Sequence, residues 1–228
     1  MIVGPSPARA LVVVLVAVSG ALPAADMAFT DLRLSVGFLS PRTEGSSSTT
    51  VEGPGLSGAF PAIDDDENAT ATQRGQLQVV FGRLGLGGGL VTGVGVAVNR
   101  ATWHDGLRKI QVTAPVMNVL AGYGYAFNTR WHAELTPMVG FGRASYTITQ
   151  DDGRRSSATW EPYVEFGGRL ATFVQVNKTT MLGLEIPYLI SRFRSEFETM
   201  TTDGRTVTVR ETHRQQGLGL LVSVGVRW

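Results

Sequence analysis

The chain has 228 residues, of which 17% are charged, and its formal net charge is +1. This length fits one all-β domain, and the small net charge gives no indication of a nucleic-acid partner. The chain has no cysteine, which excludes disulfide bonds and cysteine-ligated metal sites.

The first element along the chain has the features of an export signal. Arg9 precedes an apolar run at 11–18, and small residues follow it. The run is too short to span a bilayer, and this order of basic, apolar and small residues is typical of a secretory signal peptide. We therefore predict a signal peptide over 1–25, cleaved near 21–25, with an uncleaved membrane anchor as the alternative.

The rest of the chain, 26–228, alternates with period two in eight segments, which is the pattern of β-strands. In each segment, large apolar side chains share one face, and glycine, serine and other small or polar side chains share the other. The segments are 32–38, 76–82, 90–98, 117–125, 131–141, 160–170, 182–190 and 217–228. An even number of strands lets both ends of a closed antiparallel sheet lie on one side of a membrane.

The residues on the polar face indicate which face meets water. A soluble lipocalin-type barrel also alternates, with its apolar side chains inside, but it exposes long charged side chains, especially lysine. Here the polar face is rich in glycine and serine, and the only lysines of the chain are Lys109 and Lys178. Small residues suit the crowded interior of an eight-stranded barrel. The sequence therefore predicts an all-β, eight-stranded antiparallel up-and-down transmembrane β-barrel, with a soluble barrel or sandwich as the alternative.

The connections alternate between long and short, as in barrels with short periplasmic turns and long outer loops. The longest is 41–74, rich in serine, glycine and aspartate, which we interpret as a surface loop. The acidic run inside it, 64–67, is expected in a solvated loop or in a short helix reaching Gln73, and no metal site is expected there. Near the end of the chain, Asp203-Gly204 is a strong hairpin turn signal, so 194–214 is predicted to form an extended surface hairpin.

Aromatic residues on the apolar face fall at two levels. Trp131 and Trp228 lie near the short turns, whereas Trp160 and Tyr188 lie toward the long loops. Aromatic girdles at both membrane–water interfaces are typical of membrane barrels. We therefore predict these four residues at the two interfaces.

With this pattern of strands, loops and aromatic residues, the segment 31–228 resembles the small bacterial outer-membrane barrels of the OmpA/OmpX type. The final strand, with Val222, Val224, Val226 and Trp228, is similar to the assembly signal of such proteins, which ends in an aromatic residue. The resemblance implies location in the bacterial outer membrane, contact with its lipids and recognition by the barrel-assembly machinery.

Charged residues on the interior face are the candidate site. They share the parity of interior side chains on neighbouring strands, and they are Glu134, Glu161, Glu165, Arg169 and Glu185. Aligning the strands about their short turns places Arg169 level with Glu134 on one side and Glu185 on the other. Because an unpaired buried charge is strongly destabilising, we predict an internal Glu–Arg–Glu cluster that plugs the barrel, with a gated water path as the alternative.

No catalytic site and no cofactor are expected. Nucleophilic catalysis would require a histidine grouped with a hydroxyl and an acid, and His104, His132 and His213 lack such a grouping; His132 is interpreted as a hydrogen-bonded interior residue near Glu134. We expect a structural or cell-surface interaction role, adhesin-like, in which surface loops contact an extracellular protein partner. The alternatives are a narrow small-solute channel and, less favoured, a lipid-modifying enzyme.

Overall fold

The computed structural model describes residues 27–53, 56–68, 71–85, 88–105, 108–150, 153, 155–200 and 206–228. The signal peptide predicted over 1–25 lies outside these residues. The described residues form nine strands: β1 (Met27–Gly53), β2 (Leu56–Asn68), β3 (Ala71–Gly85), β4 (Gly88–Asp105), β5 (Arg108–Ala126), β6 (Trp131–Gln150), β7 (Arg155–Gln175), β8 (Thr180–Met200) and β9 (Thr206–Arg227). In this part of the chain, no helix is long and apolar enough to cross a membrane.

Eight of the strands close into one antiparallel barrel. The sheet runs in the order β1-β3-β4-β5-β6-β7-β8-β9, and β9 pairs back onto β1. The closing register begins with Asp31 opposite Arg227 and ends with Glu52 opposite Thr206. From β3 onward, strands adjacent in sequence are adjacent in the sheet. The predicted eight-stranded up-and-down barrel is confirmed.

Two of the short turns share one local design. Asn128 and Asn177 each accept hydrogen bonds from the backbone amides two and three residues further on, at 2.7 to 2.9 Å. Asparagine favours such turns because its side chain replaces a backbone acceptor. These turns lie at the same end of the barrel as Trp228, whose amide donates to Thr30 at 3.1 Å. Short turns mark the periplasmic end of a membrane barrel, so the long hairpins lie at the extracellular end.

The connection expected as a surface loop at 41–74 is mostly strand. Strand β1 continues through it to Gly53, and β2 returns antiparallel, from Leu56 opposite Gly53 to Asn68 opposite Arg42. The acidic run 64–67 lies within β2 and is paired with β1, so the expectation of a loop or a short helix there is wrong. The first strand therefore extends well beyond the barrel, with β2 on one side and β9 on the other.

Beyond the barrel wall, the strands divide into two groups. The pairing of β7 with β8 ends at Tyr163 opposite Phe193, whereas β8 and β9 continue together to Met200 and Thr206. These two strands pair along the segment predicted as a hairpin, 194–214, and its predicted turn at Asp203-Gly204 lies outside the described residues. In the described residues, the extracellular parts of β2, β1, β9 and β8 thus form a four-stranded sheet with β2 and β8 at its edges. We call it the projecting sheet.

The side chains of the barrel are arranged inside out. Met117 is 72% exposed, whereas the next residue, Asn118, is 2% exposed. Apolar side chains repeat this exposure around the wall, including Leu34, Val36, Phe38, Leu90, Val94, Val96, Val119, Leu135, Val139, Phe141, Leu184, Leu220 and Val222. So wide an exposed apolar surface is a membrane-contacting one. We call it the apolar belt.

Four aromatic residues were expected at the membrane interfaces. The three whose side chains the structure describes lie on the outward face. Trp131, Tyr188 and Trp228 are all exposed, and the side chain of Trp160 lies outside the described residues. Trp131 begins β6 directly after a periplasmic turn, and its indole Nε1 donates to Thr172 Oγ1 at 2.7 Å. Tyr188 lies two residues before Ile190, toward the extracellular end of the apolar belt.

Candidate functional site

Polar and charged side chains fill much of the barrel interior. Among the described residues, four arginines and four carboxylates are buried there, and we call these eight the lumen network: Asp31, Arg33, Arg74, Glu134, Glu165, Arg169, Glu185 and Arg227. They occupy inward positions of strands whose outward positions form the apolar belt. Their formal charges sum to zero, which matters because a buried charge is tolerated only when it is paired and hydrogen-bonded.

At the periplasmic end, arginines and carboxylates alternate. Arg33 donates to Asp31 at 2.8 Å and, through both terminal nitrogens, to Glu134 at 2.8 and 2.7 Å. Asp31 also accepts two hydrogen bonds from Arg227, at 2.7 and 2.8 Å. The forked Arg33–Glu134 contact is the geometry that guanidinium and carboxylate groups favour. This end of the lumen is therefore held by paired charges from β1, β6 and β9.

Aromatic rings pack against the same charges. The guanidinium carbon of Arg33 lies 3.9 Å from the ring centre of Phe173, and that of Arg227 lies 4.3 Å from the ring centre of Phe29. Both distances are within the range of cation–π attraction. His132 stacks near both rings, at 5.0 Å from Phe29 and 5.4 Å from Phe173. The rings close the periplasmic end around the ion pairs.

In the middle of the lumen, Arg169 joins the carboxylates of two neighbouring strands. It lies 2.9 Å from Glu134 and 3.0 Å from Glu185. Its other donors bind Gln78 Oε1 at 2.8 Å and Thr136 Oγ1 at 3.1 Å. All three guanidinium nitrogens therefore have acceptors within the protein.

Glu185 is the junction between the two halves of the network. It accepts hydrogen bonds from Ser35 at 2.6 Å, from Ser223 and from Gln76 Nε2 at 3.0 Å. Gln76 Oε1 in turn accepts from Arg74 Nε at 3.1 Å. Gln76 thus connects the periplasmic and extracellular parts of the lumen network into one hydrogen-bonded chain.

Toward the extracellular side, Arg74 forms a forked pair with Glu165. The two terminal nitrogens of Arg74 lie 3.0 and 2.9 Å from the two oxygens of Glu165. Asn99 accepts from Arg74 at 2.9 Å and donates to Glu165 at 2.8 Å and to the Tyr163 hydroxyl at 3.0 Å. This second group therefore satisfies its own charges with residues from β3, β4 and β7.

Above this group, apolar side chains cap the lumen. The cap consists of Ala101, Ile110, Val112, Ala114, Val116, Ala144, Tyr146, Ile148, Tyr163 and Phe193. A small cavity beside it, bordered by Leu39, Tyr163 and Leu189, has a volume of about 20 Å³. This is space for about one water molecule. Among the described residues, ion pairs and apolar side chains therefore occupy much of the interior between its periplasmic end and this cap.

The structure places the predicted interior charges in two groups. Arg169 contacts both Glu134 and Glu185, which is the arrangement expected from the alignment of the strands. Glu165 belongs to the other group and pairs with Arg74. Glu161 is half-buried, farther toward the extracellular end of β7, and takes part in neither group.

Sequence reasoning missed the partners of these carboxylates. Asp31, Arg33 and Arg227 have the same inward parity as Glu134 in the alternating segments, so parity alone would have found them. Arg74 was not predicted as an interior residue because it lies in the segment interpreted as a loop, although it is part of β3.

The two buried histidines of the described residues pack among interior side chains. His132 Nε2 lies 3.0 Å from Glu134, as an interior hydrogen-bonded histidine would. His213 is buried beside the rings of Phe193 and Tyr146, with centroid distances of 5.1 and 6.0 Å. In the described part of the chain, no group of three or more histidine and carboxylate side chains could hold a metal ion.

Integral outer-membrane β-barrels are defined by a closed antiparallel sheet with an apolar outer surface and short turns at one end. This chain has these features, and the charges of its interior neutralise one another. The chain is a small integral β-barrel of the bacterial outer membrane. At the level of fold, this agrees with the resemblance to barrels of the OmpA/OmpX type.

No protein-family model matches the chain, and no curated protein matches its sequence. Similar solved structures include the outer membrane protein OprG from Pseudomonas aeruginosa, at 12% identity and a TM-score of 0.49, covering 91% of this chain and 99% of that one. Another is Ail, the attachment invasion locus protein of Yersinia pestis, at 12% identity and a TM-score of 0.39, covering 89% of this chain and 100% of that one. The outer-membrane assignment rests on this chain's own apolar belt and lumen network.

Proposed function

We propose that this protein is a non-conducting outer-membrane barrel that presents its projecting sheet at the cell surface for contact with another protein. The observation that carries the proposal is the ion-paired interior. Its buried arginines are neutralised by carboxylates at 2.7 to 3.0 Å, and the cap covers them on the extracellular side. Conduction needs a continuous path for water and ions, and a lumen occupied by these paired side chains supports the non-conducting barrel.

The edges of the projecting sheet support the surface role. Strand β8 beyond Phe193 pairs with β9 on one side, and β2 pairs with β1 on one side. In the described residues, the other sides of both strands have no strand partner. An open edge offers unpaired backbone donors and acceptors to an added strand. Such an edge is compatible with a partner that binds in an extended conformation.

Conductance measurements test the closed lumen. The purified barrel is inserted in planar bilayers, and insertion is verified by protease protection in vesicles of the same lipid. We expect no steady current above that of the protein-free bilayer. A stable ohmic current from the wild-type barrel would contradict this part of the proposal and favour the narrow channel as the function.

Shortening the projecting hairpin tests the surface role. Ser195 is opposite Glu211 in the register, so an Asn-Gly turn joining these two residues removes the outer hairpin while keeping the pairing below. A matched control joins Ile148 to Ser156, which are opposite each other in the β6–β7 hairpin. Cells carrying each variant are compared for adhesion to immobilised extracellular proteins. We expect loss of adhesion with the first variant and retention with the control; adhesion equal to wild type in both would contradict the role of the projecting sheet.

We also propose that the barrel does not modify lipid. His132 and His213 are buried inside the barrel, so neither reaches the outward face that lipid covers. Mass spectrometry of lipid A from cells with and without the protein tests this. An acyl chain gained or lost only in the presence of the protein would contradict it.

A further inference from the structure

A cluster of arginines lies on the outward face of the barrel, at the extracellular boundary of the apolar belt. It spans three adjacent strands, β8, β9 and β1, and we call it the arginine patch: Arg42, Arg192, Arg194 and Arg214. Arg42, Arg192 and Arg194 are exposed, and Arg214 is half-buried. Each has the parity of the lipid-facing side chains of its strand: Arg42, Arg192 and Arg214 lie between buried neighbours, and Arg194 follows the buried Phe193.

The apolar residues below fix the level of the patch. Along β8, Arg192 is the next outward residue after Tyr188 and Ile190, and along β9 the outward residues change from Leu218 to Gln216 and Arg214. The patch therefore begins where the hydrocarbon-facing surface ends. This is the level of lipid headgroups and their phosphates.

The charges of the patch are poorly compensated by the protein itself. Arg192 and Arg214 are directly opposite each other in the register of β8 and β9, and like charges in that relationship repel. Glu44 lies 3.7 Å from Arg214. Among the described residues, Arg42, Arg192 and Arg194 have no carboxylate partner. An external anion between the arginines would offset this repulsion.

The same boundary carries isolated outward arginines elsewhere on the barrel. Arg100 follows the exposed Val98 on β4, and Arg143 follows the exposed Phe141 on β6. At the periplasmic boundary, Arg83 is an outward cation near Trp228, with no neighbouring arginine opposite it in the register. The basic charge on the lipid-facing surface is therefore concentrated at the extracellular leaflet, on β8, β9 and β1.

From this geometry we infer that the arginine patch is a binding site for a phosphorylated glycolipid of the outer leaflet. Guanidinium groups bind phosphate through two parallel hydrogen bonds, and four of them on adjacent strands can contact more than one phosphate group. The acyl chains of the same lipid would lie along the apolar belt directly below. That continuity with the belt favours a lipid over a soluble anion.

Titration of the purified full-length barrel in detergent with bis-phosphorylated lipid A tests the inference. The variant R192Q/R194Q removes two exposed cations that have no carboxylate partner among the described residues, and R83Q/R130Q is the control with two exposed cations at the periplasmic end. We expect about 30-fold weaker binding by the first variant, since each basic residue at an anionic lipid surface contributes on the order of fivefold. The control is expected to bind as wild type does, and heat-modified gel migration verifies that both variants fold.

Two further ligands separate lipid from soluble anion. Dephosphorylated lipid A is expected to bind wild type no better than it binds R192Q/R194Q. Inorganic phosphate at the same concentration is expected not to displace bound lipid A. Equal binding of lipid A by wild type and R192Q/R194Q, equal binding of the dephosphorylated lipid, or displacement by inorganic phosphate would overturn the inference.

Discussion

Arg227 and Asp31 pair across the seam at which the last strand of the barrel meets the first, with the arginine Nε 2.7 Å from the carboxylate Oδ1. The two residues are directly opposite each other in the β1–β9 register, and both are buried. The backbone hydrogen bonds that close the barrel are thus reinforced by a buried ion pair.

Removing one partner of this pair should destabilise the folded barrel strongly. The substitution Arg227→Leu leaves Asp31 with Arg33 alone, and breaking a buried ion pair costs about 3–5 kcal/mol. We expect the folded form to disappear at a lower temperature in heat-modified gel migration. The control is Arg210→Leu, because Arg210 pairs with Glu196 in an exposed position, where such a pair contributes about 1 kcal/mol or less. Equal effects of the two substitutions would contradict a stabilising seam pair.

The inside-out orientation can be tested at two consecutive residues. Since the chain has no cysteine, a single cysteine at position 117 or 118 gives one labelling site. Met117 is 72% exposed and Asn118 is 2% exposed, so a nitroxide at the first should contact lipid and be relaxed by oxygen dissolved in the bilayer. A cysteine at position 118 should resist labelling in the folded barrel. If position 118 is labelled readily and the label at position 117 reports contact with water, the inside-out orientation of the side chains is contradicted.

Glycines of the barrel strands should tolerate substitution only where there is space. A methyl group added at Gly140 would lie 2.6 Å from a methyl carbon of Val116 and 2.7 Å from the Cγ of Glu165, so the packed interior would have to shift. Overpacking of this kind costs about 1–3 kcal/mol. At Gly168, nothing lies within 4 Å of the added methyl group. We expect Gly140→Ala to lower the unfolding temperature and Gly168→Ala to leave it nearly unchanged; the opposite order would show that interior crowding is not limiting.

Arg74 should not be replaceable by lysine. Its guanidinium contacts Glu165 twice, Asn99 and Gln76, and an ammonium group cannot reproduce that planar set of donors. Although the charge is kept, Arg74→Lys should destabilise the barrel by about 2 kcal/mol or more, since hydrogen bonds to charged groups contribute about 1.5–3 kcal/mol each. Urea-induced unfolding in detergent measures the change, with Arg83→Lys as the exposed control. Similar midpoints for the two variants would mean that charge alone is sufficient at Arg74.

The lipid-facing part of the fold could be predicted from the sequence because contact with lipid requires an apolar side chain at every second position of each strand. Between Leu218 and Val226, every second side chain is apolar and exposed, and this alternation identifies both the strand and its faces. The same parity placed Glu134, Arg169 and Glu185 in the lumen. Their contacts followed from the short turns, which fix the register of neighbouring strands.

Where the strands leave the membrane, the side chains no longer have to alternate between apolar and polar. Outside the membrane no lipid selects for an apolar face, so a strand there need not alternate, and 41–74 resembles a loop in composition although β1 and β2 run through it. This also concealed Arg74, the partner of Glu165. Glu161 has inward parity but lies farther toward the extracellular end of its strand than Glu165, and parity alone does not give depth in the lumen.

The chain of contacts through Gln76 has a consequence for how the barrel comes apart. Through Arg169, Gln78 and Asn118 it also reaches β5, so every barrel strand supplies at least one residue to a single connected set. Removal of any one strand would leave a charged or amide group of a neighbouring strand without one of its hydrogen-bond partners. Forced extraction from a bilayer should therefore show one abrupt rupture, instead of hairpins leaving the membrane one after another.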